Sequence, residues 1–114
     1  MTVVERLVRH AYARGITTLT LDSPANRNAL SSSLVAELAE RLAQAEQDDE
    51  VRAVVLTHTG GTFCAGADLR EPPEPAALVG LLRGIVELAR PVVARVDGHV
   101  RAGGLGLLGA CDVA

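Results

Sequence analysis

Lysine is absent from the 114 residues, and all eleven basic residues are arginine. A lysine Schiff base and every mechanism built on a lysine nucleophile are thereby excluded within this chain. Aromatic residues make up only 2% of the chain, and they are Tyr12 and Phe63. The core must therefore be aliphatic, and no set of rings is available on which nucleic-acid bases could stack. Fourteen acids against eleven bases leave a formal charge of −3, and no basic block is present to follow a phosphate backbone. Nucleic acid and anionic membrane surfaces are accordingly disfavoured as partners. The two cysteines, Cys64 and Cys111, have neither a metal-ligand spacing nor the density of a disulfide framework, which fits a reducing compartment. No metal site is expected. The longest small or apolar run, Ala102 to Cys111, is well short of the roughly 18 residues of a membrane span, and the N-terminus lacks a charged-then-apolar signal. A soluble, cytoplasmic protein is the expectation.

Hydrophobic residues at 48% and charged residues at 22% suit a folded core, and the length suits one small domain or part of one. The stretch from Val3 to Ala13 alternates loosely and meets Arg14-Gly15, after which Ile16, Leu19 and Leu21 lie among threonines that favour extended backbone. That pattern predicts a hairpin. The segment 22–28 is rich in turn formers and reads as a surface loop. Ser31, Ser32 and Ser33 all offer N-cap hydroxyls to a helix whose stripe is Leu34, Leu38, Leu42 and Ala45. A β-branched run over 53–57 predicts a buried strand. Leu78, Leu81, Leu82, Ile85 and Leu88 predict a second helix stopped by Pro91, and 92–96 predicts another strand. This order argues for an α/β fold with a largely parallel sheet. The residues 110–114 resemble the opening of a further strand, so an incomplete layer is expected, finished by more chain or by a partner.

Two glycine turns follow strands: Ala65-Gly66-Ala67-Asp68-Leu69 and Ala102-Gly103-Gly104-Leu105-Gly106. Both are expected to open helices, whose first amides lack internal acceptors and sit at the positive end of the dipole. Two such ends aimed at one point would form an oxyanion hole, and glycine at 66, 103 and 104 would clear the way for a carbonyl.

Three ordered segments carry a resemblance: 22–30, 51–69 (VRAVVLTHTGGTFCAGADL) and 90–113 (RPVVARVDGHVRAGGLGLLGACDV). Through them the chain resembles the enoyl-CoA hydratase/isomerase, or crotonase, family. The resemblance implies a crotonase-like superhelix of ββα units, incomplete at the C-terminal side, with residues 1–114 as its N-terminal, acyl-CoA-binding portion. It also implies a homo-oligomer, usually a trimer or a dimer of trimers. It further implies an acyl-CoA thioester whose oxygen lies between the backbone N–H groups of Ala67 and Gly103. Coenzyme A is part of the substrate, and no separate cofactor is expected. By the same resemblance CoA lies near Arg27 and Ala29 in the loop before the first helix, and near Ala65 and Gly66. Asp68, Leu69 and Gly104 complete the expected substrate contacts. A guanidinium at Arg27 suits a CoA phosphate because it grips phosphate bidentately, although a solvated loop arginine is an equally good reading. Asp68 is expected to stabilise a helix dipole rather than move a proton.

The chain departs from the family pattern where the first of the usual two glutamates would stand. That position is Gly106, which transfers no proton. The second glutamate would fall downstream of residue 114. Hydration of a 2-enoyl-CoA is the leading expectation, with isomerisation or a non-catalytic acyl-CoA-binding module as alternatives. His99 and Arg101 share one face of an extended segment and are assigned a structural or interface role. His10 and His58 look ordinary, and Cys64 reads as a small buried residue rather than a nucleophile. The run 104–109 also matches G-x-G-x-x-G, a dinucleotide-site rival whose confirming acid would be about 20 residues further on.

Overall fold

The computed structural model describes residues 6–114. β1 (Val8–Ala13) and β2 (Ile16–Leu21) form the expected antiparallel hairpin, with Ala13 paired to Ile16 across Arg14-Gly15. Both turn residues have positive φ, 51° and 85°, the pattern of a two-residue turn whose twist matches its strands. Val3 and Val4, the start of the expected first arm, lie outside the described residues. β2 then pairs in parallel with β3 (Ala53–His58), and β3 with β5 (Val92–Ala94), giving the order β1-β2-β3-β5. A separate parallel pair, β4 (Thr62–Cys64) with β6 (His99–Val100), forms a small second sheet.

The first helix, α1 (Ser32–Gln47), is capped by Ser31, whose hydroxyl accepts from Leu34 N at 3.0 Å. Of the three candidate serines only this one caps, because Ser32 and Ser33 both turn their hydroxyls to Glu71 Oε1 at 2.6 Å. Its buried stripe of Leu34, Leu38, Leu42 and Ala45 covers Leu19, Leu21, Val54 and Leu56 of the main sheet. The second helix, α2 (Pro75–Glu87), starts with Pro75 at its first turn, where a missing N–H costs nothing, and buries Leu81 and Ile85. It ends before Pro91. The third helix is α3 (Gly103–Ala110), packed through Leu107.

Three sequence expectations change. The strand expected over 92–96 stops at Ala94: Arg95 N makes the last ladder bond, to Leu56 O, and the chain then turns at Asp97-Gly98. β3 is not buried on both faces: Val54 and Leu56 are buried, whereas Ala53 and Val55 are only half-buried, so it alternates. The 65–69 turn opens no helix. Near the last residues, Val113 bridges Val93 in parallel and Asp112 accepts Val92 N at 2.7 Å, so this segment runs beside β5 as a strand opening would.

The small sheet depends on a backbone approach at Gly98. A Cβ added there would stand 2.3 Å from Gly61 O and 2.6 Å from Gly61 C, atoms of the β4 entry that cannot swing aside. Gly98→Ala is therefore expected to lower the unfolding free energy by about 1–3 kcal/mol, read from denaturant titration. An unchanged midpoint would contradict this packing.

Candidate functional site: two adjoining turns and their clefts

The turn after β4 and the turn before α3 are packed against each other. Gly66 has φ +102°, a conformation side chains rarely adopt. A Cβ on it would lie 2.8 Å from Ala102 Cβ and 3.3 Å from Gly103 N. From the other side, a Cβ on Gly103 would lie 3.8 Å from Ala67 N. The amides of Ala67 and Gly103 are thus neighbours, although 36 positions separate them in the sequence.

Hydrogen bonding leaves this pair over. Leu30 pairs with Ala67 as a parallel bridge, in which Leu30 N bonds Gly66 O at 2.7 Å and Asp68 N bonds Leu30 O at 3.0 Å. In that pattern the N–H of Ala67 itself points away from Leu30. At the second turn, Arg101 N goes to Cys64 O and Gly104 N to Arg101 O, while Gly103 is the first residue of α3. Neither Ala67 N nor Gly103 N has an acceptor among the described residues. Gly103 owes its idle amide to a helix start, as expected. Ala67 owes its own to a strand-like bridge and to the left-handed bend at Gly66. Ala102, just before Gly103, adopts φ 47° and ψ −121°, a conformation that typically costs about 1–3 kcal/mol in a non-glycine residue and is held here by the bonds on either side.

The other expected site residues fall into three places. Arg27, Ala29, Ala67, Asp68 and Leu69 line one open cleft of about 590 Å³, together with Ala25, Asn26 and Arg70. Ala65 lines a neighbouring cleft that shares Arg27. Gly104 is instead buried behind the turns, where a Cβ would meet Cys64 O at 2.7 Å, so its place is in the packing of α3 on β4. Asp68 stabilises no helix dipole, since no helix begins there. Its Oδ1 accepts Arg70 N at 2.8 Å and Glu71 N at 3.3 Å, and its Oδ2 accepts Asn26 Nδ2 at 3.2 Å. The Arg70 amide, first among these, holds the Asp68 carboxyl below the usual carboxylate range. The Ser32 and Ser33 hydroxyls do the same for Glu71.

A residue that sequence reasoning passed over positions this loop. Asn28 is fully buried and has φ 54°; its Oδ1 accepts Ser23 N at 2.7 Å, and its Nδ2 donates to Thr62 O at 2.9 Å and Thr59 O at 3.4 Å. The side chain ties the Arg27 loop to the entry of β4. Its polarity inside a turn-rich segment was the available signal, since a buried amide must find partners.

Gly106 sits one turn into α3, exposed, and a Cβ there would meet only Leu82 Cδ1 at an ordinary 3.8 Å. Packing therefore leaves room for a side chain at the position where the family resemblance places a glutamate. The G-x-G-x-x-G run lies wholly within α3 rather than in a loop before it, which removes the geometry a dinucleotide site requires. Burial pushes the Cys64 thiol up, away from a nucleophilic thiolate, and that of Cys111 up to about 11. Among the described residues no group of three or more His, Cys, Asp or Glu could hold a metal ion, and no helix is long and apolar enough to cross a membrane.

This fold, with two backbone turns meeting beside a loop-lined cleft, defines a crotonase-fold domain. The chain belongs to the enoyl-CoA hydratase/isomerase family, whose model matches residues 11–114. It is 40% identical over 111 residues to the human enoyl-CoA hydratase domain-containing protein 2, mitochondrial, covering 88% of this chain and 38% of that protein. It is 34% identical over 124 residues to 1,2-epoxyphenylacetyl-CoA isomerase of Escherichia coli K12, covering 97% of this chain and 47% of that protein. The crystal structure of an enoyl-CoA hydratase from Mycobacterium avium superposes with a TM-score of 0.87 at 49% identity, over 97% of this chain and 47% of that one. The chain thus spans less than half the length of these relatives.

Two outcomes are expected at this site. Asn28→Ala removes three hydrogen bonds and strands partly buried backbone groups, so it is expected to cost about 1–3 kcal/mol in denaturant titration. A loss within experimental error would show that water replaces the amide. The ionised forms of Asp68 and Glu71 favour the folded loop. Their contribution is fully present above the ordinary carboxylate range and is lost as pH falls through their lowered folded values. Acidification is accordingly expected to raise amide exchange at Arg70 and Glu71, after correction for intrinsic rates, before the core opens. Protection that persists until global unfolding would contradict it.

Proposed function

We propose that this chain binds an acyl-CoA thioester and polarises its carbonyl, with hydration of a 2-enoyl-CoA double bond as the reaction it serves. The observation that carries the reading is the adjoining pair of amides, Ala67 and Gly103, left without acceptors where two turns meet. Water adding at the β-carbon of an enoyl thioester drives negative charge onto the thioester oxygen, giving an enolate. Two preorganised N–H donors, one backed by the α3 dipole, stabilise that charge more than they stabilise the neutral carbonyl, which lowers the barrier. The Arg27 loop and the 67–70 segment hold the CoA portion in the adjacent cleft. Proton transfer falls to a group outside this chain, because Gly106 has no side chain and Asp68 is occupied by two amides and Asn26. Trimeric assembly belongs to the same reading.

A second reading, an acyl-CoA-binding module without turnover, is favoured specifically by Gly106. The two are separated by loss of the enoyl thioester's conjugated absorbance, since a binder retains CoA esters and leaves that absorbance unchanged. For the enzyme, Gly103→Pro deletes one donor N–H at a helix first position, where proline is tolerated, although Leu30 Cδ1 stands near and must give. Placed in a protein that also carries the proton-transfer group, the variant is expected to turn over about 10²- to 10³-fold more slowly with an unchanged circular dichroism spectrum. Full turnover in a folded variant would overturn the oxyanion assignment.

A further inference from the structure

We infer that Arg101 and His99, together with Arg27, form an anion-binding subsite that takes a phosphate group on the β4–β6 side of the turns. The three side chains line one open cleft of about 360 Å³, whose other walls are Thr62 and Ala65. Backbone pairing builds this cleft. His99 N bonds Gly61 O at 3.1 Å and Arg101 N bonds Cys64 O at 3.0 Å, so β6 lies along β4 with Thr62 opposite His99. His99 and Arg101 flank Val100 and therefore share a face. Ala65 N bonds Arg27 O at 3.1 Å, which brings the loop arginine to the same edge.

The charge of the cleft is one-sided. No acidic residue lines it, and neither arginine makes an ion pair among the described residues, whereas Arg9, Arg83, Arg90 and Arg95 all do. Two guanidiniums, an imidazole and a threonine hydroxyl line this one cleft, and a guanidinium is a forked donor that suits the oxygens of a phosphate. Under this inference His99 and Arg101 take a ligand role in place of the structural or interface role expected from the sequence. Arg27 stands in both clefts, so a ligand lying in the larger one reaches this subsite across it. Two sources supply such a group: the nucleotide phosphates of CoA, which links the subsite to the thioester reading above, or a free phosphate compound.

The test measures binding of pyrophosphate, CoA and pantetheine by calorimetry to the wild-type protein and to Arg101→Gln, an exposed substitution whose fold is checked by circular dichroism. Wild-type protein is expected to bind pyrophosphate, more weakly as salt rises, and Arg101→Gln to lose roughly tenfold or more in affinity. A parallel loss for CoA with pantetheine unchanged identifies the nucleotide end as the source. A loss for pyrophosphate alone identifies a free phosphate compound. No pyrophosphate binding by the wild type, or equal binding by a folded Arg101→Gln, overturns the subsite. The thioester reading fails separately, if acyl-pantetheine is neither bound nor turned over while pyrophosphate still binds.

Discussion

The site rests on one close approach of backbone to backbone, in which the Gly66 turn is pressed against Ala102 and Gly103. Side chains are excluded at the contact because a Cβ on Gly66 would run into Ala102, and one on Gly104 would run into Cys64. With glycine at both places, α3 can begin directly over the end of β4. Its first amide then lies beside that of Ala67. A larger residue at either position would push the two turns apart, and two polarised N–H groups would become two ordinary solvated ones.

The rest of the chain supports that contact by dividing the work. The main sheet and α1 supply an aliphatic core of leucine and valine, and no functional group is needed there. The small β4–β6 sheet carries the candidate chemistry and is held to the core by a few specific residues. Leu30 does this twice: its side chain is fully buried, and its backbone fixes the direction of the Ala67 amide. Asn28 does it with a buried amide that satisfies three backbone groups from two loops. The strain at Ala102 fits this division, since local backbone strain persists only where the surroundings over-determine it.

Periodicity made the hairpin, α1, α2 and β3 readable, because each has a repeating apolar pattern that matches one backbone geometry. It failed at 65–69. A glycine turn after a strand resembles a helix start, yet Ala65 N there bonds Arg27 O and Asp68 N bonds Leu30 O, and the chain reaches a helix only at Pro75. It grouped His99 and Arg101 on one face without the cleft they line with Arg27, since alternation reveals that two residues share a face but not what that face meets. Asn28 escaped notice for a related reason: in a segment of Ser, Pro, Asn and Arg, burial of one polar side chain is set by distant carbonyls at Thr59 and Thr62.

By itself, the sequence determined the hairpin, the two longer helices and the family membership, through apolar spacing and three ordered segments. It also determined that Gly106 brings no carboxylate, a matter of composition alone. The tertiary structure decided which amides are idle, which glycines face backbone, and that Arg27, His99 and Arg101 meet at one cleft. Those properties depend on contacts between residues far apart in the chain, and a one-dimensional pattern carries no distance between them.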